Sequence, residues 1–388
     1  MNEGSAEILN RPRPECFGRN TSPSVEVDSL VVKIASRCNM DCDYCYIYHH
    51  QDDSWQNMPQ TMSDETVNAL IENVSLLYER QHQKPLVVFH GGEPLLFGVR
   101  RFRSLVEKFV SRIPDVRLSI QTNGTIYNEQ LEKLLVEFRD FLTFSLSVDG
   151  FREENDRHRL GLKGQSVFKK IEKTIRKSRQ SGLLDNILIV VDTKNDPSKI
   201  FAFMVDAGAQ TYNLILQDGD RKNLPPGKEA LNSTEVGEWL TKLFYIYAQS
   251  DLKFRIQMFD EMVVGLLKKQ RSVACPPVTH LSCTMTIDTD GEIKQTDTFR
   301  VNANNADQIT GSNVTTHSIF DSANSQQNID FVLSTSSLVR DCRDCAYLNV
   351  CGGGYEQHRF DGVSYRNPSL YCSDYKLLFG NMERLICP

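Results

Sequence analysis

The alternation of apolar strand-like and helix-like segments constrains the fold of this chain more than any other sequence feature. Short runs rich in Val, Ile, Leu and Phe are separated by segments whose apolar residues recur at helical spacing. Six strands are predicted in the segments DSLVVKIAS, PLVVFH, VRLSIQ, FLTFSLSV, NILIVV and TYNLILQ. Consecutive βα units of this kind form a parallel sheet with right-handed crossovers. The periodicity alone does not decide between an open sheet and a barrel.

Helix signals lie between these strands and after the last one. Ser63 precedes two acidic residues, which stabilise a first helical turn, and Pro197 suits the same position of another helix. Further helices are predicted from about Ser166 and over residues 234–249 and 258–270.

The sequence changes character from about Cys275, where short strands, turns and cysteines replace the alternating pattern. Asp290-Gly291 lies between two short apolar runs and is a strong hairpin signal. We therefore predict an N-terminal arm over residues 1–27, an α/β domain over 28–272 and a cysteine-rich domain over 273–388.

Composition excludes several classes of protein. The net charge of −6 gives no basic surface for nucleic acid. The N-terminal stretch lacks the apolar core of a signal peptide, and no apolar run approaches the roughly 20 residues that cross a bilayer. A cytoplasmic location without membrane contact is expected. Eleven clustered cysteines in that reducing compartment favour metal binding over disulfides.

The first cysteine group directly follows the first strand, in the motif Cys38-x₃-Cys42-x₂-Cys45. Three thiolates on one short loop can hold three corners of a [4Fe–4S] cluster and leave the fourth iron open to another ligand. A structural zinc site is the alternative, but such sites normally have four protein ligands.

Polar motifs end three further strands. Ligand sites in parallel α/β folds lie at the carboxyl ends of strands, so these motifs are expected to surround one mouth. They are His90-Gly91-Gly92-Glu93-Pro94, Gln121-Thr122-Asn123-Gly124 and Ser147-Val148-Asp149-Gly150. Paired glycines let a ligand approach the backbone closely, and a carboxylate beside them can bind an amino group. Each motif alone could equally be a plain turn.

Together these residues resemble the radical S-adenosylmethionine (SAM) superfamily over nearly the whole chain after about residue 28. The resemblance implies a partial (β/α)₆ TIM-like barrel with a C-terminal cysteine-rich SPASM-type extension. It implies that Cys38, Cys42 and Cys45 hold the catalytic cluster. The residues it implies for SAM binding are Tyr44 at the adenine, Gly91, Gly92 and Glu93 at the methionine amine, and Gln121, Asn123, Ser147 and Arg159. A surface salt bridge is the alternative for Arg159, and Arg157 could make the contact instead.

The C-terminal part is similar to the SPASM extension, which carries auxiliary clusters. Its implied ligands for one closed [4Fe–4S] cluster are Cys342, Cys345, Cys351 and Cys372; a zinc ribbon is the alternative. Cys275 and Cys283 could belong to a second auxiliary site. Thr296 and Tyr355 stand where its other two cysteines are expected, so that second cluster is doubtful.

The segments SRCNMDCDYCYIYHHQDDSW, NDRHR and CGGGYEQHRF resemble one group of peptide maturases, the FxsB, GrrM and XyeB type. This group forms three-residue cyclophanes in ribosomal precursor peptides, joining an aromatic ring carbon to the β-carbon of a residue two places later. The resemblance implies reductive cleavage of SAM, hydrogen abstraction from the peptide, and an external one-electron reductant such as flavodoxin or ferredoxin.

Asp297 aligns with the carboxylate that acts as a base in sulfatase-maturating relatives, so it is the candidate proton acceptor; an ordinary hairpin aspartate is the alternative. His358 and Arg359 could line the peptide site or a solvated face. Only some 27 residues precede the first strand, too few for the roughly 80-residue winged-helix module that binds leader peptides in some relatives. Precursor capture is therefore expected at another surface, such as a strand edge.

Three rival functions remain at this point. A sulfatase-maturating enzyme shares nearly all the motifs but should keep both auxiliary sites. A thioether-forming peptide maturase uses the same radical chemistry. A non-catalytic zinc-binding or electron-transfer protein would not cleave SAM.

Overall fold

The computed structural model describes residues 24–251, 254–269 and 280–386. The strands in these ranges are β1 Ser24–Ala35, β2 Met40–Cys42, β3 Leu86–Gly91, β4 Arg117–Thr122, β5 Leu142–Ser147, β6 Arg159–Gly161, β7 Asn186–Val190, β8 Thr211–Ile215, β9 Arg255–Ile256, β10 His280–Ile287, β11 Glu292–Gln295 and β12 Gln308–Asn313. The helices are α1 Asp64–Arg80, α2 Val99–Arg112, α3 Glu129–Glu137, α4 Arg152–Asp156, α5 Phe168–Gln180, α6 Pro197–Ala207, α7 Glu235–Ala248, α8 Gln257–Lys269, α9 Ile319–Ala323, α10 Gln326–Ser336, α11 Arg340–Arg343, α12 Leu348–Cys351 and α13 Cys372–Ile386.

Ten strands form one sheet in the order β12-β11-β10-β1-β3-β4-β5-β7-β8-β9. The six predicted strands correspond to β1, β3, β4, β5, β7 and β8, and each pairs in parallel with the next. The predicted α/β fold is therefore confirmed, with the carboxyl ends of all six strands along one rim.

The predicted helix starts are also confirmed, and local hydrogen bonds explain them. Ser63 caps α1 by accepting a hydrogen bond from the backbone N–H of Thr66 at 3.0 Å. Asp196 caps α6, in which Pro197 occupies the first turn. Gly208 ends α6 in the left-handed conformation, at φ +67°.

The core lies between the sheet and the surrounding helices. Phe89 and Ile120 on adjacent strands are fully buried, as are Leu70 of α1 and Phe102 of α2. Burial of each such side chain contributes about 1.5–3 kcal/mol. This packing holds the strand ends, and therefore the rim, in fixed positions.

The cysteine-rich segment continues the same sheet. β10 pairs in parallel with β1, with Leu30 opposite Met285. The predicted hairpin at Asp290-Gly291 joins β10 to β11 in antiparallel pairing, with Gly291 at φ +88°. β1 begins at Ser24, so the arm boundary predicted at residue 27 falls inside a strand. The domain boundary predicted near residue 272 lies outside the described residues.

The C-terminal segment also bridges the two sides of the partial barrel. The Arg221 N–H, beyond β8, donates to the carbonyl of Phe360 at 2.8 Å. Asn302, beyond β11, donates to the carbonyl of Gln357 at 3.0 Å. Residues 357–360 therefore connect the loops that follow β8 and β11, and they lie at the rim.

Candidate active site

The end of β3 packs against the cysteine loop, the segment after β1 that carries Cys38, Cys42 and Cys45. The Gly92 N–H donates to the Ala35 carbonyl at 2.9 Å, and the Glu93 N–H donates to the Arg37 carbonyl at 3.0 Å. A Cβ on Gly92 would lie 2.4 Å from the Arg37 backbone, and one on Gly91 would lie 1.9 Å from the Ala35 oxygen. The sequence pointed to a ligand approaching these glycines; in the structure the cysteine loop itself makes that approach.

Glu93 is fully buried and hydrogen-bonded within the chain. Its carboxylate accepts from the Thr122 hydroxyl at 2.7 Å and from the backbone N–H groups of Asn123 and Leu95 at 2.8 and 3.0 Å. Burial raises the pKa of Glu93, and these three donors oppose the rise. Glu93 thus ties the end of β3 to the end of β4.

The three thiols of the first cysteine group lie close together. Burial raises the pKa of Cys38 to about 12, and the nearby Glu93, Cys42 and Cys45 raise it further, against the Met40 N–H. Burial raises the pKa of Cys42 to about 11 and also raises that of Cys45. Three adjacent half-buried thiols are unfavourable as free thiolates, so a cationic iron centre that accepts all three would stabilise the loop.

Tyr44 lies in a buried polar network behind the loop. Its hydroxyl donates to Asp149 at 2.6 Å and accepts from Arg159 at 2.8 Å. Arg159 is 6% exposed, lies opposite Cys42 in the β2–β6 pair, and has no hydrogen-bond partner for its buried Nε. Arg157 instead forms a 2.8 Å ion pair with Asp192. Of the two arginines, Arg159 is therefore the one beside the cysteine loop.

The remaining predicted cofactor residues lie on neighbouring strand ends. Asn123 donates to the Cys38 sulfur at 3.7 Å and to Asn39 at 2.9 Å, so it contacts the loop directly. Gln121 in β4 and Ser147 at the end of β5 are partly exposed on adjacent strands. They share the rim with Asn123.

Asp297 lies on the other side of the loop, where a 3₁₀ turn follows β11. Its carboxylate forms a 2.9 Å ion pair with Lys33 and accepts from the Tyr46 hydroxyl at 2.8 Å. Burial would raise the pKa of Asp297, but Lys33, helped by His90 and Arg300, lowers it below its usual range. Asp297 is 2% exposed, and it is bound by side chains of the barrel as well as by its own hairpin.

A second group of four thiols lies at the C-terminal end, at the ends of three helices. Burial raises the pKa of Cys351 to about 12, with further contributions from Cys372, Cys342 and Cys345, against the Gly353 N–H. Burial and then Cys372 raise the pKa of Cys342. Across the described residues, no three Cys, His, Asp or Glu side chains are placed to hold a single metal ion. The four thiols are close neighbours that suit the corners of a larger cluster.

The residues expected at the second auxiliary site are only partly brought together. Cys283 of β10 and Thr296 line one cavity of about 40 Å³, which is room for one or two waters. Tyr355, 39% exposed, lies beside His358 with ring centroids 5.8 Å apart. Cys275 lies outside the described residues. Of the positions expected for a second auxiliary cluster, the described residues bring together only Cys283 and Thr296.

Comparison with known proteins identifies the domain that carries the cysteine loop. Residues 32–204, which include the cysteine loop and most of the rim, match the Radical SAM superfamily. The chain carries a radical SAM domain.

Two curated relatives of this radical SAM enzyme are sulfatase maturases. A cysteine-type anaerobic sulfatase-maturating enzyme of Clostridium novyi (strain NT) is 28% identical over 369 residues, covering 90% of this chain and 94% of the relative. A serine-type enzyme of Bacteroides thetaiotaomicron is 25% identical over 375 residues, covering 90% and 88%.

Solved structures share the fold. Native anSMEcpe with bound AdoMet matches with a TM-score of 0.75 at 24% identity, covering 92% of this chain and 98% of that one. Streptococcus suis SuiB bound to precursor peptide SuiA matches with a TM-score of 0.63 at 13% identity, covering 89% and 76%. The β10–β12 extension of the sheet is thus included in a fold that spans nearly the whole chain.

The cofactors of this radical SAM enzyme are SAM and a [4Fe–4S] cluster, and an auxiliary [4Fe–4S] cluster is consistent with its relatives. The residues present fit them. Three adjacent half-buried thiols would hold three irons of a cluster and leave the fourth open, and the unpartnered Nε of Arg159 is a buried donor for an anionic group nearby. No helix within the described ranges is both long and apolar enough to span a bilayer.

Two residues of the radical SAM site, Lys33 and Tyr46, escaped the sequence analysis, and Asp149 was named there only as part of a strand-end motif. Lys33 and Asp149 complete the networks of Asp297 and Tyr44. Lys33 left a usable signal in the sequence, because it is the only charged residue after Asp28 in an otherwise apolar strand. The structure buries it, at 3% exposure. Tyr46 left no comparable signal, since its partner is 251 positions away. The solvated face considered for His358 and Arg359 is wrong, because each is 1% exposed.

Proposed function

We propose that this radical SAM enzyme forms a C–C crosslink between an aromatic ring carbon and the β-carbon of a residue two places later in a ribosomally made precursor peptide. The observation that supports this most is the buried, ionised Asp297, bound by Lys33 and Tyr46 beside the cysteine loop. A carboxylate held there is placed to take the proton that the aromatic ring must lose.

The reaction removes two hydrogens from the peptide. With SAM bound, the cluster would supply a one-electron cleavage of SAM that generates the hydrogen-abstracting species. One hydrogen leaves the β-carbon as an atom, and the other leaves the ring as a proton and an electron after the C–C bond forms. Asp297 would accept the proton at the oxygen that it shares with Tyr46. An electron acceptor is also needed, and an auxiliary cluster suits that role.

The residues that would hold these groups follow from their positions. Cys38, Cys42 and Cys45 would hold the catalytic cluster. Those that would hold SAM are Tyr44, Gly91, Gly92, Glu93, Gln121, Asn123, Ser147 and Arg159. Those that would hold one auxiliary cluster are Cys342, Cys345, Cys351 and Cys372, and flavodoxin or ferredoxin would supply the first electron.

Formylglycine formation is the second candidate, because curated sulfatase maturases match 90% of this chain. Two observations favour crosslinking over it. Thr296 lies beside Cys283, at a position where a cysteine would be needed to complete the second auxiliary site. Tyr355 occupies the other such position and packs against His358. An enzyme of the sulfatase-maturating type is expected to keep these ligands.

Co-expression with a candidate precursor peptide, chosen from short reading frames near the gene, tests the proposal. We expect the peptide to lose two hydrogens, with tandem mass spectra lacking fragments between the aromatic residue and the residue two places later. Formylglycine from serine also loses two hydrogens, but its aldehyde reacts with a hydrazide probe, and a thioether would require a cysteine. A hydrazide-reactive product would refute crosslinking and support the second candidate.

A further inference from the structure

The proposed peptide substrate must enter the rim, and one polar pair there has no role in the chemistry above. Asp218 follows β8, and His358 lies in the 3₁₀ turn Gln357–Arg359 of the C-terminal segment. The His358 Nε2 and the Asp218 carboxylate are 3.7 Å apart. His358 belongs to the bridging residues 357–360, and Asp218 belongs to the loop after β8 that they contact.

The side chain of His358 is buried and makes no hydrogen bond within the described chain. It is 1% exposed, and neither ring nitrogen has a hydrogen-bond partner in the described chain. Its ring packs edge-on against Tyr371 at 5.1 Å and Tyr355 at 5.8 Å between centroids, which fixes its position. A buried polar group without a partner destabilises the protein, so a bound ligand that supplies a partner would be favoured.

Asp218 lies near the loop that follows Cys45. Burial raises the pKa of Tyr46, and Asp297 and then Asp218 add to the rise; burial lowers the pKa of His50, and Asp218 opposes that effect. Tyr46 in turn hydrogen-bonds Asp297. Asp218 is therefore close to a residue that contacts the proposed base.

In the described chain, Asp218 lacks the partners that stabilise the other carboxylates near it. Asp297 has Lys33 as its cation. Asp220 accepts from the backbone N–H groups of Lys222 and Asn223 at 2.8 and 2.6 Å. Within the described ranges no Lys or Arg forms an ion pair with Asp218, whose side chain is 18% exposed.

We propose that Asp218 and His358 form a subsite for a cationic side chain, lysine or arginine, of the precursor peptide. A neutral imidazole offers one donor and one acceptor. With the imidazole proton on Nδ1, the His358 Nε2 and the Asp218 carboxylate both accept hydrogen bonds from an ammonium or guanidinium group placed between them. The inference rests on the proposed peptide substrate and names the chemistry of one of its residues.

Binding of two synthetic peptides tests the subsite separately from the reaction. Both peptides are capped at each end, and they differ only in having lysine or its uncharged isostere norleucine two places after a tryptophan. Titration calorimetry with the cluster-loaded, SAM-bound enzyme should show the lysine peptide binding about tenfold more tightly at low salt. The preference should fall at high salt, because the charge pair is partly solvent-exposed.

Asp218→Asn should abolish that preference. The matched control Asp140→Asn makes the same change at an exposed residue before the amino end of β5, so it should keep the preference. His358→Phe retains the ring packing and should reduce the preference several-fold. Should His358→Phe not fold, the Asp218→Asn result decides alone.

Equal binding of the two peptides to the wild type, or no detectable binding of either, would overturn the subsite. So would a full preference in Asp218→Asn or in folded His358→Phe. Crosslinking is assayed apart, by mass. A lysine preference that depends on Asp218, without any crosslink, would refute the proposed reaction and leave the subsite intact. Crosslinking without that preference would refute the subsite and leave the proposed reaction intact.

Discussion

The two cysteine groups of this enzyme are held in place in different ways. The first is positioned by the barrel: Gly92 contacts its backbone, Asn123 contacts the Cys38 sulfur, and Arg159 pairs opposite Cys42. The second lies among short helices and turns, and one buried ion pair helps to anchor its last helix. On the proposed ligand assignment, the open cluster that must meet a substrate depends on the whole rim, whereas the closed cluster depends on local structure.

The largest effect is expected where the barrel contacts the first group. Gly92→Ala places a Cβ 2.0 Å from the Tyr48 hydroxyl and 2.4 Å from the Arg37 backbone, so the loop must move. We expect SAM cleavage to fall by about a hundredfold or more, with loss of iron from this site. Gly164→Ala is the control, because that glycine has the left-handed φ of +72° but nothing within 4 Å of an added Cβ. Equal activity in both variants would contradict the dependence on the rim.

Loss of the ion pair that anchors the last helix of the second cysteine group should mainly lower the stability of the protein. Lys228 and Asp374 form a 2.6 Å ion pair with both side chains at 0% exposure, and Asp374 also accepts from the Gly237 N–H. Asp374→Ala leaves a buried, unpaired ammonium and should lower the free energy of unfolding by about 3–5 kcal/mol. Urea unfolding measures this, and a change below about 1 kcal/mol would show that the pair does not anchor α13.

The sequence predicts much of the fold and of the candidate site. The contacts that it does not predict join residues far apart in the chain. The loop of Cys38, the rim motifs and the six strands are local patterns, so spacing and periodicity found them. The pairing of β1 with β10 joins residues some 250 positions apart, which no local pattern encodes. The same holds for Tyr46 with Asp297 and for Asp218 with His358.

A smaller effect is expected at Lys33, which neutralises Asp297 without touching either cysteine group's sulfur atoms. Lys33→Met removes the cation that lowers the Asp297 pKa, so burial should raise that pKa. The base would then be protonated at neutral pH, and crosslinking should fall about tenfold to a hundredfold and recover as pH rises. Initial rates between about pH 6 and pH 9 test this. The exposed Lys163→Met is the control, and a wild-type pH profile in Lys33→Met would refute the role.

The smallest effect is expected at His158, which ties the first cysteine loop to the loop after β7. Its ring lies 3.2 Å from Asp192 and 2.9 Å from Asp43, and Asp192 and then Asp43 raise its pKa against the effect of burial. A raised pKa stabilises the fold below the unfolded pKa of about 6.5, and this stabilisation is lost as pH rises through the folded value. His158→Gln should therefore cost about 1 kcal/mol or less near pH 5.5 and almost nothing near pH 9. A larger cost at the higher pH would contradict this assignment.

The most direct test of the proposed function compares wild type with Asp297→Asn on the precursor peptide, measuring cleaved SAM and crosslinked peptide in the same reactions. Asparagine keeps the size of the side chain but cannot accept the ring proton. We predict that the variant cleaves SAM at a rate within about threefold of wild type while crosslinking falls by a factor of about 10²–10⁴. Full crosslinking in Asp297→Asn would contradict the assignment of Asp297 as the base.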